Sequence, residues 1–209
     1  MMSTRAEVFW DRHAPKYVAK PIADQPSYEA KLSHVRSLLH PTDKVLEIGC
    51  GSGNTALQLA PACAHFIASD LSSRMIEYAR SQSRDAEIRN VRFVHADANR
   101  ILSDGPFDTI LAFSCLHLVS DIQETLSAIH AQLKPGGLFI SKTVCIAERN
   151  FGIRSMVRLM SAAPFTPDVN LLSQSTLGYL IQRAGFDVIE TRYFGDQSMD
   201  PFIVARRRG

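Results

Sequence analysis

The residues with the clearest chemical content sit together: Glu47 stands two positions ahead of the run Gly49-Cys50-Gly51-Ser52-Gly53. Glycines lack a Cβ, so a chain there turns sharply and comes close to a ligand. A carboxylate just before such a turn repels a diphosphate and suits a ligand that carries positive charge. A dinucleotide fingerprint would need glycine at position 54, where Asn54 stands. Asp70, 21 residues past Gly49, occupies the place where sheets of this kind set an acid that accepts from both hydroxyls of a ribose. Several cofactors share a ribose, so Asp70 indicates a nucleoside without choosing which. Together these residues point to a nucleoside whose other end is cationic.

Two histidines are candidate proton acceptors for an acceptor molecule, His117, four residues past Phe113, and His13 near the N-terminus. His117 stands between Leu116 and Leu118, which equally fits a packing role. Cys50, Cys63, Cys115 and Cys145 are far apart and form no C-x-x-C pair, so neither a metal site nor a disulfide framework is indicated. Free thiols suit a reducing cytoplasm.

The elements that must position these groups follow from the pattern along 209 residues, enough for one domain with a buried core. Ser27 starts a helix to about His40, with Leu32, Val35, Leu38 and Leu39 on one face. A strand Lys44 to Ile48 stops at the glycines. A helix from Asn54 to Pro61 and a strand through Phe66 and Ile67 to Asp70 come next. Ser72 or Ser73 caps the helix of Met75, Ile76 and Ala79. Val91 to Val94 alternates as a strand, and the apolar run Phe107 to Phe113 reads as a central strand covered on both faces. A helix Asp121 to Leu133 ends at Lys134-Pro135-Gly136-Gly137, before a strand Leu138 to Val144. The last quarter reads as helix Phe151 to Ala162, a Pro-marked connection, helix Ser173 to Ala184 and strands near Phe186 to Phe194 and Pro201 to Arg206. Five strand-helix steps in succession predict a doubly wound α/β sheet.

Val45-Leu46-Glu47-Ile48-Gly49-Cys50-Gly51-Ser52-Gly53, Ala68-Ser69-Asp70-Leu71-Ser72, Phe107-Asp108-Thr109-Ile110 and Leu133-Lys134-Pro135-Gly136-Gly137 resemble, in this order, the successive motifs of small-molecule class I S-adenosylmethionine-dependent methyltransferases. The resemblance is strong over 27–145 and weak at the flanks. It implies a Rossmann-like seven-stranded sheet, mostly parallel with an antiparallel last strand, and S-adenosyl-L-methionine as cofactor. By the same resemblance Glu47, Gly49, Cys50 and Gly51 surround the methionine part, Asp70 takes the ribose, and Leu71 and Met75 pack on the adenine. Asp97 accepts from the adenine amino group with Ala98 beside it, and Phe113 and Ser114 border the methyl-donor end. Tyr17 comes near the methionine end from an N-terminal segment folded over the cofactor. Leu71 and Met75 are also consistent with plain core, Asp97 with a helix cap for 99–102, and Tyr17 with a surface anchor. Asp108 reads as structural. Cys115 follows Ser114 and lacks the Pro-Cys pair of the pyrimidine C5 methyltransferases, and no Asn-Pro-Pro-Tyr type motif follows Phe113, which disfavours base-flipping nucleic-acid substrates.

The expected organisation is one domain: a lid segment 1–26, the cofactor core 27–145, a substrate-side insertion 146–172, and a helix with a strand pair over 173–209. Phe9, Trp10 and Tyr17 in the first segment, and Ile153, Met156, Val157, Leu159 and Met160 in the insertion, predict a small, partly apolar acceptor methylated at O, N or C. Arg149, Arg154 and Arg158 flank that apolar helix, so it also suits an anionic membrane surface and a lipophilic acceptor. With 23 basic and 21 acidic residues the net charge is only +2, which gives no general pull toward nucleic acid, and the tail Arg206-Arg207-Arg208 reads as solvated. Charges at Arg5, Glu7, Asp11 and Arg12 break any apolar leader, and no stretch approaches the ~20 apolar residues of a spanning helix. A cytoplasmic protein of undetermined oligomeric state is expected. The competing readings are a nicotinamide-dependent oxidoreductase, disfavoured by Asn54, Glu47 and the lack of a Tyr-x-x-x-Lys pair, and a non-catalytic nucleoside-binding or partner module.

Overall fold

The computed structural model describes residues 4–148, 151–161, 166, 169–195 and 199–209. Seven strands form one sheet: β1 (Lys44–Ile48), β2 (His65–Asp70), β3 (Val91–His95), β4 (Phe107–Phe113), β5 (Leu133–Lys142), β6 (Phe186–Arg192) and β7 (Phe202–Arg207). Their order is β3-β2-β1-β4-β5-β7-β6. The first five run parallel, and β7 is antiparallel to both β5 and β6. The chain reverses direction across the sheet beside β1, and the crevice past the strands' carboxyl ends at such a switch is where doubly wound folds bind ligands.

Among the described residues seven α-helices accompany the sheet: α1 (Arg5–Val18), α2 (Gln25–Leu38), α3 (Asn54–Leu59), α4 (Ser73–Asp85), α5 (Ile122–Gln132), α6 (Phe151–Ser161) and α7 (Gln174–Arg183). Period-two alternation along the strands sends Val45 and Leu111 to one face and Leu46 and Ile110 to the other. The first face is covered by Leu32 and Val35 of α2, Ala56 and Leu59 of α3, and Ile76 and Ala79 of α4. The second is covered by Leu126 and Ile129 of α5 and Leu177 and Ile181 of α7. Fully buried Phe66, Phe107, Phe139, Phe186 and Phe202 anchor both layers, each contributing about 1.5–3 kcal/mol.

Three boundaries differ from the sequence reading. The lid segment is itself a helix, α1, capped by Thr4 and carrying Pro15 inside it; only Ala14 is fully buried, so no apolar stripe advertised it. The next helix opens at Gln25 with Asp24 as cap, whose carboxylate accepts from the Ser27 amide, because Pro26 fits the first turn. Lys134 to Gly137 lies within β5: Leu133 already pairs with Phe107, and the regular register resumes at Thr109 with Leu138. The strand therefore ends at Lys142 instead of Val144. Asp108 is structural, accepting from the Lys44 amide at 2.8 Å and from Lys134 Nζ at 2.6 Å. Ala162, Arg149 and the Pro-marked connection lie outside the described residues, as do the side chains of Arg154, Arg158 and Met160.

Candidate active site

β1 ends in a turn built on positive backbone angles: φ is +66° at Gly49, +54° at Gly51 and +84° at Gly53. A side chain at Gly49 would set its Cβ 2.6 Å from Cys115 Cβ, so the turn and the loop after β4 are pressed together. Asp70, at the end of β2, fixes the turn. Its Oδ2 accepts from the Gly51 amide and its Oδ1 from the Ser72 amide, both at 2.8 Å. Burial pushes its carboxyl up, and the two amide hydrogen bonds oppose that.

Beside this turn lies a cavity of about 470 Å³. Of the residues expected at the cofactor, Gly49, Gly51, Asp70, Leu71 and Met75 form one part of its wall, with Asp97 and Ala98 beyond them. Phe113, Ser114 and His117 line the other part, and Trp10 and Tyr17 reach in from α1. Asp97 is not a helix cap: no helix spans 99–102, and the chain instead turns at 98–99, with the Asp97 carbonyl accepting from the Arg100 amide at 3.0 Å and Asp97 Oδ1 from the Asn99 amide at 2.9 Å. Tyr17 is 53% exposed, yet its ring lies over Gly51, where an added Cβ would be 3.6 Å from Tyr17 Cε1. Burial, then the charges of Asp70 and Glu47, raise its phenol pKa.

Three expected residues do not reach the wall. Cys50 turns into the core under α2 and α3, and burial followed by the Glu47 and Asp70 charges raises its thiol far above the ordinary value. His13 faces a separate pocket beside Arg12 and Val8, because its ring stacks on Phe9 at 4.0 Å and its Nδ1 is 2.7 Å from the Phe9 carbonyl oxygen. Glu47 lies behind the glycine turn, 2% exposed, since strand alternation points it beneath α2. Its Oε2 has no hydrogen-bond partner among the described residues. Burial raises its carboxyl pKa, opposed by Lys31 and reinforced by Asp70.

His117 does face the cavity, with Nδ1 buried and unpartnered among the described residues. Burial lowers its pKa to about 4 against the opposing charge of Asp200, so the ring is neutral at pH 7. Cys115 is buried, and burial plus the Asp70 and Glu47 charges hold it as the thiol, which removes it as a nucleophile.

Sequence reasoning missed Asp11, which docks α1. Its Oδ1 accepts from Ser72 Oγ at 2.6 Å and from the Arg74 amide at 3.1 Å, and its Oδ2 from Ser73 Oγ at 3.2 Å. No sequence signal marked it as a dock. Ser114 lines the cavity beside Phe113 as expected, but its left-handed backbone, φ +54°, with the amide donating to the Lys142 carbonyl at 2.7 Å, was not anticipated. A non-glycine residue there carries strain on the cavity wall.

An unpartnered buried carboxylate oxygen behind a turn that leaves no room for a Cβ fits a ligand with a cationic end, and the Asp70 carboxylate on the wall fits its ribose. Residues 45–137 match the family described as methyltransferase domain. The demethylmenaquinone methyltransferase of Clavibacter sepedonicus is 29% identical over 185 residues, covering 80% of this chain and 73% of that protein. The tRNA 5-carboxymethoxyuridine methyltransferase of Escherichia coli K12 is 33% identical over 98 residues, covering 46% of this chain and 38% of that protein, so the match spans well under half the length of that relative. Among solved structures, the N-methyltransferase NodS of Bradyrhizobium japonicum WM9, determined with S-adenosyl-L-homocysteine, shares the fold with a TM-score of 0.73, 16% identity, and coverage of 96% of this chain and 99% of that one.

Proposed function

We propose that this chain, whose residues 45–137 match the family described as methyltransferase domain, is a class I S-adenosylmethionine-dependent methyltransferase that transfers a methyl group to an O, N or C atom of a small, partly apolar acceptor by in-line displacement. The observation that carries the reading is the single cavity joining the Asp70 and Asp97 carboxylates at one part of its wall to His117, Leu118, Val119 and Val144 at another. When bound, the cofactor supplies a methyl group already activated on a sulfonium. The chain's own task is then to hold and align.

In this reading Asp70 accepts from the ribose hydroxyls with the lone pairs its two amide bonds leave over, Leu71 and Met75 cover the adenine, and Asp97 with Ala98 meets its edge. Glu47 lies behind the glycine turn and acts on the cationic end from there, without lining the cavity. Trp10 and Tyr17 of α1 exclude water. Neutral His117, a weak base with its pKa lowered to about 4, orients the acceptor by a hydrogen bond, and Cys115 takes no covalent part. The apolar surface around His117 favours an acceptor with an apolar body over a nucleic acid.

The test is calorimetry with S-adenosyl-L-homocysteine and NADH, followed by a methyl-transfer screen. Binding of the first alone, with turnover of a small acceptor, is the expected result. Stabilisation by NADH alone would replace the reading with an oxidoreductase, and tight binding with no turnover on any acceptor would favour a non-catalytic module. A lipophilic acceptor met at an anionic membrane is favoured by one observation: α6 exposes Phe151 at 79% and Leu159 at 77%. No helix among the described residues is long and apolar enough to cross a membrane. Failure to co-sediment with anionic vesicles would remove that route.

A further inference from the structure

Asp200 is 9% exposed, yet only one of its carboxylate oxygens is used among the described residues: Oδ2 stands 3.4 Å from Lys142 Nζ, while Oδ1 is buried without a partner. A buried carboxylate oxygen keeps its desolvation cost until a donor reaches it. The ladder between β5 and β7 fixes where that oxygen is. It continues past the ends of both strands, the Thr143 amide donating to the Pro201 carbonyl at 3.3 Å and the Cys145 amide to the Met199 carbonyl at 3.0 Å. With Lys142 paired to Phe202, this register sets Asp200 directly opposite Val144, in the kind of cross-strand pair that brings side chains on one face closest together. Val144 lines the cavity, so Asp200 stands beside the cavity wall without lining it.

His117 lines the same wall and buries its Nδ1 with no partner among the described residues. The two unsatisfied atoms are complementary, a ring nitrogen able to donate and a carboxylate oxygen that accepts. The charge of Asp200 is felt at that ring, where it opposes the effect of burial. We infer that Asp200 is the positioning residue for His117: its Oδ1 accepts the hydrogen bond of Nδ1–H through one intervening water, which leaves Nε2 as a bare acceptor in the cavity. The proton of a neutral histidine sits on the nitrogen whose partner accepts it, and a buried water is held by otherwise unsatisfied polar groups such as these. Lys142 holds the far oxygen and so fixes how the carboxylate is turned. Resting on the proposed function, the inference narrows the acceptor: a bare Nε2 aligns a molecule that presents an O–H or N–H at its reacting end and repels one that presents only lone pairs.

The test uses the whole chain with its histidine rings labelled in nitrogen-15, the His117 signals being those that disappear in His117→Gln. In the natural protein at pH 7, where the ring is neutral, nuclear magnetic resonance should find the ring proton on Nδ1 and none on Nε2. Asp200→Asn, of nearly equal size, should move that proton to Nε2, because a carboxamide offers a donor where the carboxylate only accepts. Its far-ultraviolet dichroism and its affinity for S-adenosyl-L-homocysteine should not change. A proton found on Nε2 in the natural protein overturns the inference without any variant. A folded Asp200→Asn that keeps the proton on Nδ1 overturns it as well, since Asp200 is then not what sets the ring. In a methyl-transfer screen every acceptor turned over should carry an O–H or N–H; turnover of pyridine, which has neither, would overturn the acceptor class. If the natural protein does not bind S-adenosyl-L-homocysteine, the proposed function has failed, while the position of the ring proton still decides the role of Asp200.

Discussion

Replacing Asp11 with alanine removes all three hydrogen bonds that seat α1 on the start of α4, those from Ser72 Oγ, Ser73 Oγ and the Arg74 amide. A hydrogen bond to a charged acceptor contributes roughly 1.5–3 kcal/mol when shielded. This site is half-open to water and the freed donors are resolvated, so about 1 kcal/mol per bond, or about 3 kcal/mol in all, is the reasonable figure. The ion pair of Glu7 with His95, 3.2 Å, remains as a weaker tether. Ser72 still caps α4 by accepting from the Met75 amide, so the helix beneath is not lost. Because α1 buries only Ala14 fully and packs chiefly on α4, the cost is local undocking instead of global unfolding. Hydrogen exchange should therefore show amide protection over 5–18 reduced by up to roughly 100-fold, with β1 to β5 unchanged. S-adenosylhomocysteine affinity should fall by no more than that factor, since Trp10 and Tyr17 leave the wall only in the undocked fraction. Unchanged protection in α1, or loss spread evenly through the sheet, would refute the argument. The same carboxyl gives the sign of the acid response: burial raises it, but the Ser72, Arg74 and Ser73 hydrogen bonds outweigh that and hold it below its ordinary 3.8. Docking is thus complete above that value and is lost as pH falls beneath it.

Gly53→Ala should destabilise the fold by about 3 kcal/mol, because φ is +84° and the new Cβ meets Phe93 Cε1 at 2.7 Å and Ala79 Cβ at 2.9 Å; a calorimetric scan should place its midpoint roughly 6–12 °C lower. Asp70→Asn turns one of two amide acceptors into a donor facing the Gly51 or Ser72 N–H, so nucleoside affinity should drop about 10- to 100-fold in calorimetry while far-ultraviolet dichroism stays unchanged. His117 has its folded pKa lowered from 6.5 to about 4, so it costs no stability above pH 6.5 and costs progressively more as pH falls toward 4. The full span is about 3 kcal/mol, and His117→Gln should flatten that part of a urea-derived stability curve; curves that remain parallel from pH 7 to 4.5 would count against a buried neutral ring.

The glycine turn and the Asp70 that fixes it were legible because backbone geometry forces them. Gly49, Gly51 and Gly53 sit at positive φ, Asp70 must stand at a strand end to reach two amides, and the strands that carry them announce themselves by apolar runs. Such demands restrict residue type at fixed offsets, which is what a sequence displays. Glu47, expected beside the cavity, does not line it: alternation along β1 sends it under α2, a matter of parity that its chemistry alone does not reveal. His13 failed for a similar reason, since one neighbouring ring, Phe9, decides which side of α1 it faces.

The docking of α1, the burial of Lys31 and the shape of the loop after β4 were hidden because nothing at the level of backbone geometry specifies them. α1 is held by a single carboxylate on two hydroxyls and an amide, and an aspartate among charged neighbours carries no pattern that distinguishes a docking bond from a solvated surface. Lys31 likewise occupies a helical position where a solvated lysine would be unremarkable; only its place against Phe113 and Tyr28 makes it a buried cation. Ser114 adopts a left-handed conformation that glycine would take without strain, so the loop's shape is imposed by the Lys142 carbonyl and the pressed contact of Cys115 with Gly49. These groups owe their roles to long-range packing between elements far apart in the chain. A fold of this kind can therefore keep the turn after its first strand fixed by local rules while the rest of the cavity wall varies with side chains that obey none of them.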